Sequence, residues 1–513
     1  MKRIIYWMML LIVATGCDNR MEVTADMDAP IYPDYRDVTI PVNIAPLNFL
    51  VRDSLCQDVK VSVNGEIICN ESGNEVTFDI DDWHKLLADN VGKKITVSVS
   101  VGQENEWVEY RPFTWNIVGD SIDPWLTYRL IEPDYEVFSR LQLQERCLED
   151  FTTRNFCDYE RVGNRCMNCH TYSKQSPELS MMYVRGEGGG AVLNRDGKLS
   201  LLDIKAEGMV GGSVYFGFHP DGKHIVFSAN KIIPAFHAAG SKRLEVFDSA
   251  SDVYVADLDQ QKIIRTPLLA DSLWLETFPT FSPDGKYIYY CTASNNLLRR
   301  DSADIGATVR ELQYVLCRIP FDATTETFGT KADTLTEAPS SVCHPRVSPD
   351  GKRLLYTQQA YGTFPIWHRE ADLRMINLET REVDSLDIVN SNLSDTYHSW
   401  SSNSRWFVFA SKRDDGLYGK PYFCYIDRQG KAHKPFVMPQ KYPSFYDNFL
   451  KSYNAPELDK GPCHLPINNS SKILKLEGII DNTIPCVIES EGYVGWSLDN
   501  PVEHRTVYLC HFA

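Results

Sequence analysis

A chain of 513 residues with 43% hydrophobic and 24% charged residues is too long for one ordinary domain and carries enough apolar material for two or three. Its formal net charge of −17 leaves no surplus of lysine and arginine to displace counterions from phosphates, which excludes nucleic acid as a partner of the usual electrostatic kind. Fourteen cysteines call for an account of where each one goes.

Lys2 and Arg3 precede an apolar run at 4–13 that is too short to cross a bilayer, and Ala14-Thr15-Gly16 place small residues directly before Cys17. The pattern resembles a bacterial lipoprotein signal at 1–16 with its lipobox. By that resemblance Cys17 becomes the mature N-terminus and carries the lipid, and the polar stretch at 17–30 is a spacer. An ordinary cleaved signal with a chance cysteine is the alternative. No later segment has 18 consecutive apolar residues, so the expectation is a protein anchored in the cell envelope, in the outer rather than the inner membrane, facing the periplasm or the surface. Asp18, by the sorting rule of enteric bacteria, would argue for the inner one.

Between 31 and 119 short alternating segments at 38–51, 59–63, 75–80, 94–101 and 107–118 are separated by turns such as Asn64-Gly65 and Ser72-Gly73-Asn74. That spacing predicts an antiparallel β-sandwich. The stretch at 120–180 reads as a linker, and the three- and four-residue spacing of Val137, Leu141, Leu143, Cys147, Leu148 and Phe151 predicts a helix over 133–151.

The linker ends in Cys166-Met167-Asn168-Cys169-His170, the spacing C-x-x-C-H of a c-type haem attachment site. Cys166 and Cys169 would add to the porphyrin vinyl groups and His170 would be the proximal iron ligand. A thioredoxin-type redox pair, half a zinc site and a structural disulfide with an incidental histidine are the other readings. The polar, glycine-containing run at 161–165 does not suit the first, and no second C-x-x-C or H-x-x-x-H completes a zinc set. Covalent haem is attached outside the cytoplasm, so the export signal and the motif support one another. Of the remaining cysteines, Cys56 with Cys69 and Cys147 with Cys157 are the nearest pairs for bridges, whereas Cys291, Cys317 and Cys424 lie in apolar strand-like runs as buried hydrophobes.

Beyond 181 the chain repeats. Phe218-His219-Pro220-Asp221-Gly222-Lys223 recurs as Phe281-Ser282-Pro283-Asp284-Gly285-Lys286 and as Val347-Ser348-Pro349-Asp350-Gly351-Lys352, with a degraded copy from Trp400 to Arg405. Each copy is a turn between two strands, and further strands at 253–258, 314–319, 373–378 and 422–426 complete a blade pattern. These F-S-P-D-G-K repeats resemble the WD40-like propeller of the TolB type, over 181–460. The resemblance implies a six-bladed (or seven-bladed) β-propeller, with an atypical blade near 184–204 and a closing one near 436–458. The layout as a whole is similar to Bacteroidetes lipoproteins with such propellers. The strands at 461–513 either close the last blade or form an appendage.

Aligned on their turns, His344 and His398 occupy the position of Phe278, just before the first strand of a blade, where propellers bind ligands around the central channel. Candidates for the sixth iron ligand are Met181, Met182, His237, His344 and His398; Met181 and Met182 also suit ordinary core. Neither G-x-S-x-G, a phosphate-binding loop nor H-E-x-x-H is present, so no enzymatic class is assigned. The main reading is a mainly β, exported, lipid-anchored haem c protein for electron transfer or redox-linked binding, with a protein partner on the propeller face. The alternative is a non-haem TolB-like module binding envelope proteins or glycans.

Overall fold

Val59, Val61 and Val63 are buried while Asp58, Lys60 and Ser62 between them are half-exposed, the alternation that a strand with one packed face requires. Lys94–Gly102 and Phe113–Val118 repeat it. In the computed structural model, which describes residues 20–132, 140–162, 164–186, 190–204, 206–236, 244–295 and 309–463 and the strands at 483–485 and 487–489, these segments join a seven-stranded sheet. Facing it are a three-stranded sheet and one helix, Ile80–Asp89. The expected sandwich is therefore partly helical. Asp79 caps the helix by accepting from Asp81 N and Asp82 N at 2.9 and 3.1 Å, and Trp83 and Leu87, four apart, form its buried face. Trp83 packs on Trp115 with ring centroids 5.3 Å apart.

The helix expected over 133–151 is corrected. Residues 133–139 lie outside the described set, and Gln142–Cys147 is a strand between Trp125–Ile131 and Thr153–Asp158. Leu141, Leu143 and Cys147 fit a period of two as well as a helical one, and a strand there gains two ladders of backbone hydrogen bonds. The C-x-x-C-H motif likewise runs into a strand, Met167–Ser173, so the described residues of 120–180 build strands rather than a helical linker, and the boundary expected at 181 falls within a sheet.

From Trp125 onward the described chain builds six sheets of propeller type, each of four or five strands and antiparallel apart from one edge strand in two of them. Their inner strands are Met167–Ser173, Gly212–Phe218, Trp274–Phe281, Ser341–Val347, Asp395–Trp400 and Ser452–Asp459. Each touches the next, and the last touches the first. Ser452–Asp459 belongs to the sheet that starts the series, where it pairs with Trp125–Ile131. Strands buried on both faces, such as Trp406–Ser411, read as continuous apolar runs because a neighbouring sheet covers each side.

The Pro-Asp-Gly turns hold the inner strands to their neighbours. Ser282 Oγ donates to Asp284 Oδ1 at 2.6 Å and accepts from Tyr287 N at 3.0 Å; Ser348 does the same with Asp350 and Arg353 at 2.6 and 3.0 Å. Gly285 and Gly351 supply φ of +76° and +72°.

The amino-terminal unit docks on the last sheet. Trp406 Nε1 donates to Asp120 O at 2.7 Å, and Ser402 N and Oγ donate to Asp123 at 2.7 and 2.6 Å. A single apolar cluster runs from Trp115 through Trp406. Two further expectations are corrected: Cys56, Cys69, Cys147 and Cys157 are all free. Cys147 faces Trp125 and Cys157 faces Leu143 in the ladder, four residues out of step with one another. Cys291, Cys317 and Cys424 are buried. Thr483–Pro485 and Val487–Glu489 add in parallel to the outer strands Lys198–Asp203 and Lys262–Ile264; the strands expected at 473–480 and 506–512 lie outside the described residues.

Candidate functional site

Every inner strand carries the same irregularity. In each ladder two residues of the inner strand face one residue of its neighbour, which is a β-bulge. The pairs are Cys169-His170, Tyr215-Phe216, Phe278-Pro279, His344-Pro345, Tyr397-His398 and Ala455-Pro456. Opposite them stand Met182, Phe227, Tyr290, Tyr356, Phe409 and Tyr128. Tyr215, Phe278, His344, Tyr397 and Ala455 all have φ between +45° and +54°. Five non-glycine residues in that region at matching positions cost about 1–2 kcal/mol each, and strain of this kind gathers at functional sites.

The bulge aims side chains inward. Tyr215, Phe278, His344 and Tyr397, from four successive inner strands, form an aromatic collar with centroid separations of 4.4 Å from Tyr215 to Phe278, 4.3 Å from Phe278 to His344 and 4.9 Å from His344 to Tyr397. His344 is thus equivalent to Phe278, as expected. His398 is not: it is one position further on, because Ser401 rather than Ser402 plays the part of Ser348, its N–H bonding Trp406 O as Ser348 N bonds Arg353 O.

Beside the collar lies a group of buried ionisable side chains. His170 is partly exposed as a residue, but its Nε2 is sealed from solvent and lacks a hydrogen bond, as do Nδ1 of His344 and both ring nitrogens of His398. Burial, reinforced by Arg129 and Arg346, pushes His170 down to about 3. Burial and Arg346 do the same to His398, also to about 3, and hold His344 well below the usual histidine range. The guanidinium of Arg346 acts on all three rings and on Glu457, whose carboxyl burial raises to about 7 while it accepts from Tyr172 N at 3.3 Å. Asp459 is raised to about 9 by burial and by Glu457. Neutral imidazoles with unused nitrogens, a cationic guanidinium and a carboxyl that changes charge near neutrality can bind an anion, ligate a metal or exchange a proton.

The expected site residues are distributed as follows. Cys17 and His237 lie outside the described residues. His170, His344 and His398 all feel the charge of Arg346, and His344 also feels His398. Met181 packs with Leu193, Phe216 and Phe227, and Met182 fills the place opposite a bulge that an aromatic ring fills in the other five sheets, so both are in apolar clusters. Cys166 is 5% exposed, packed among Cys157, Val162 and Met167, and is in a disulfide whose other half lies outside the described side chains. Arg346, Glu457 and the collar residues Tyr215 and Tyr397 are the additions that sequence reasoning misses; counting four residues back from His219 and from Ser401 would have reached the two tyrosines.

Haem c needs two free thiols and an imidazole turned to iron. The orphan Nε2 of His170 fits the second need. The oxidised, buried Cys166 does not meet the first until its disulfide is reduced.

No protein-family model and no curated protein matches the chain. Among solved structures it is similar to a TolB protein from Agrobacterium tumefaciens at 15% identity, covering 61% of this chain and 92% of that one with a TM-score of 0.36. An oligogalacturonate lyase from Vibrio parahaemolyticus matches at 11% identity over 59% and 92%, TM-score 0.32. A DUF4784 family protein from Bacteroides caccae matches at 8% identity over 80% and 97%, TM-score 0.30. Likeness at this level speaks to neither activity nor ligand.

Proposed function

We propose that the six sheets form a closed six-bladed propeller whose central channel is a ligand site, in a TolB-like binding or scaffold module for envelope proteins or glycans, held to the membrane through lipid on Cys17. The observation that carries this reading is the set of six aligned bulges, four of which bring Tyr215, Phe278, His344 and Tyr397 into one aromatic collar, with Arg346 two residues beyond His344 on the same strand. Aromatic faces and a guanidinium suit the ring faces and carboxylates of an acidic glycan. Calorimetry with hexuronic-acid oligosaccharides and neutral counterparts tests it. Binding of the acidic series that falls at least tenfold in Arg346→Ala is expected; no binding, or binding indifferent to the substitution, sinks the proposal.

The second reading, a haem c protein, is supported by C-x-x-C-H and by the orphan Nε2 of His170. When bound, the haem would supply electron transfer or small-ligand chemistry at its iron. Cys166 and Cys169 would hold it and His170 would ligate its iron; Met181 and Met182 are committed to packing, which leaves His344 and His398 as the described candidates for a further ligand. Expression with a cytochrome c maturation system followed by denaturation decides this: haem absorbance that stays with the unfolded chain and vanishes in Cys166→Ala/Cys169→Ala supports it, and haem-free folded protein removes it.

A further inference from the structure

The repeat that opens the third sheet departs from its siblings at two positions. His219 and His224 stand where later copies have Ser282 and Tyr287, or Ser348 and Arg353. Both histidines are buried, 7% and 4% exposed. His224 faces Asp257 across the strand pair, and Glu326 reaches in from a turn of the next sheet, its backbone held at φ +56°.

Asp221 accepts from the backbone N–H groups of Lys223 and His224 at 2.8 and 3.1 Å and stands 2.7 Å from His224 Nδ1. With the ring proton on Nδ1, the lone pair of Nε2 points the other way, at Glu326 Oε1 3.5 Å distant and Asp257 Oδ2 3.7 Å distant. Around a neutral ring these are three acceptors converging on one another, with the side-chain amide of Gln260 donating to Asp257 Oδ2 at 3.0 Å and to Glu326 Oε1 at 3.4 Å. The gaps from Nε2 are long for hydrogen bonds. They match the separation of about 3.4 Å between two ligands that each lie about 2.1 Å from a tetrahedrally coordinated zinc ion. The carboxylates are also anchored from behind: Asp257 Oδ1 accepts from the N–H groups of Asp259 and Gln260 at 2.8 and 2.7 Å, and Glu326 Oε2 pairs with Lys262. Lys262 balances one of the three negative charges.

We propose that His224 Nε2, Asp257 and Glu326 form a zinc site that clamps the third sheet to the fourth, with water as the fourth ligand. Asp221 is its positioning residue, orienting the imidazole through Nδ1 in the carboxylate–histidine–metal arrangement. One imidazole with two carboxylates suits a first-row transition ion better than calcium or magnesium, which take oxygen ligands throughout. His219 contributes from outside by bonding Gly285 O at 3.2 Å, tying the same two sheets.

The test uses the full-length chain stripped with a chelator, then titrated with zinc chloride by calorimetry and with cobalt(II) by absorption. One equivalent of zinc, a raised melting temperature and the intense visible bands of tetrahedral cobalt are expected. Glu326→Gln and His224→Gln should abolish the cobalt bands, and Asp221→Asn should weaken zinc about 10- to 100-fold. His170→Gln should change none of this. Absence of zinc-dependent stabilisation, or binding that survives Glu326→Gln, or binding lost only in His170→Gln, overturns the proposal. Glu326 is a partly exposed turn residue, so its variant keeps the test decisive if His224→Gln does not fold.

Discussion

Glu276, two residues before the collar position Phe278, is 3% exposed, and its Oε2 has no hydrogen bond. Burial, with Asp252 and Asp271 nearby, raises its carboxyl from 4.5 to about 9. The folded state then holds a proton that the unfolded chain releases above about 4.5, so stability from this group is complete at low pH and is lost as pH rises toward 9. Replacing Glu276 with Gln should flatten that decline, worth about 1.4 kcal/mol per pH unit at its steepest, in urea midpoints measured from pH 6.5 to 9. His398 has the opposite sign. Held at about 3 against 6.5 for the free side chain, it charges on unfolding, so its contribution is complete above pH 6.5 and disappears as pH falls toward 3. His398→Gln should soften the acid limb of the same profile and leave the alkaline limb alone. An unaltered acid limb would mean that the ring is solvated and protonated in the folded protein.

Among the elements, the repeat turns separate two roles of glycine. A Cβ on Gly351 would meet nothing within 4 Å, so Gly351→Ala should cost only the left-handed backbone penalty, about 1–2 kcal/mol. A Cβ on Gly285 would overlap the His219 ring, adding roughly 1–3 kcal/mol of overpacking. Thermal melts of the two variants should therefore differ, with Gly285→Ala the lower. These turns are legible in the sequence because Pro, Asp and Gly each meet a fixed backbone need. The helix Ile80–Asp89 is legible only once Asp79 is read as a cap with Trp83 and Leu87 behind it; an alternating frame hides it. Strand Gln142–Cys147 is misread because its apolar residues satisfy both periods. The bulges leave no common letter at all: Tyr, Phe, His, Tyr and Ala share φ of +45° to +54° where glycine would be the usual sign. That is why the sequence points to His344, His398 and Phe278 but not to the collar tyrosines Tyr215 and Tyr397, nor to Arg346.

At the scale of the whole molecule the amino-terminal unit and the last sheet share one apolar cluster, and the first sheet takes its inner strand from Ser452–Asp459. Ending the chain before Ser452 should therefore remove more than one strand: Trp125–Ile131 would lose a ladder, Met167–Ser173 and Asp395–Trp400 would each lose a neighbour, and denaturant unfolding should broaden from one cooperative transition to a gradual one. A sharp single transition in that truncation would show that the remaining sheets are stable without closure. The ladder joining residue 125 to residue 459 also fixes an order of events. A ribosome or an export channel that has released only the first three hundred residues has released a set of sheets with an unfilled inner edge, and every later sheet must be threaded before that edge is covered. That edge stays open until nearly all of the described length has arrived. Met167–Ser173, the next inner strand round, keeps an uncovered side through that interval, and the arrival of Ser452–Asp459 ends it.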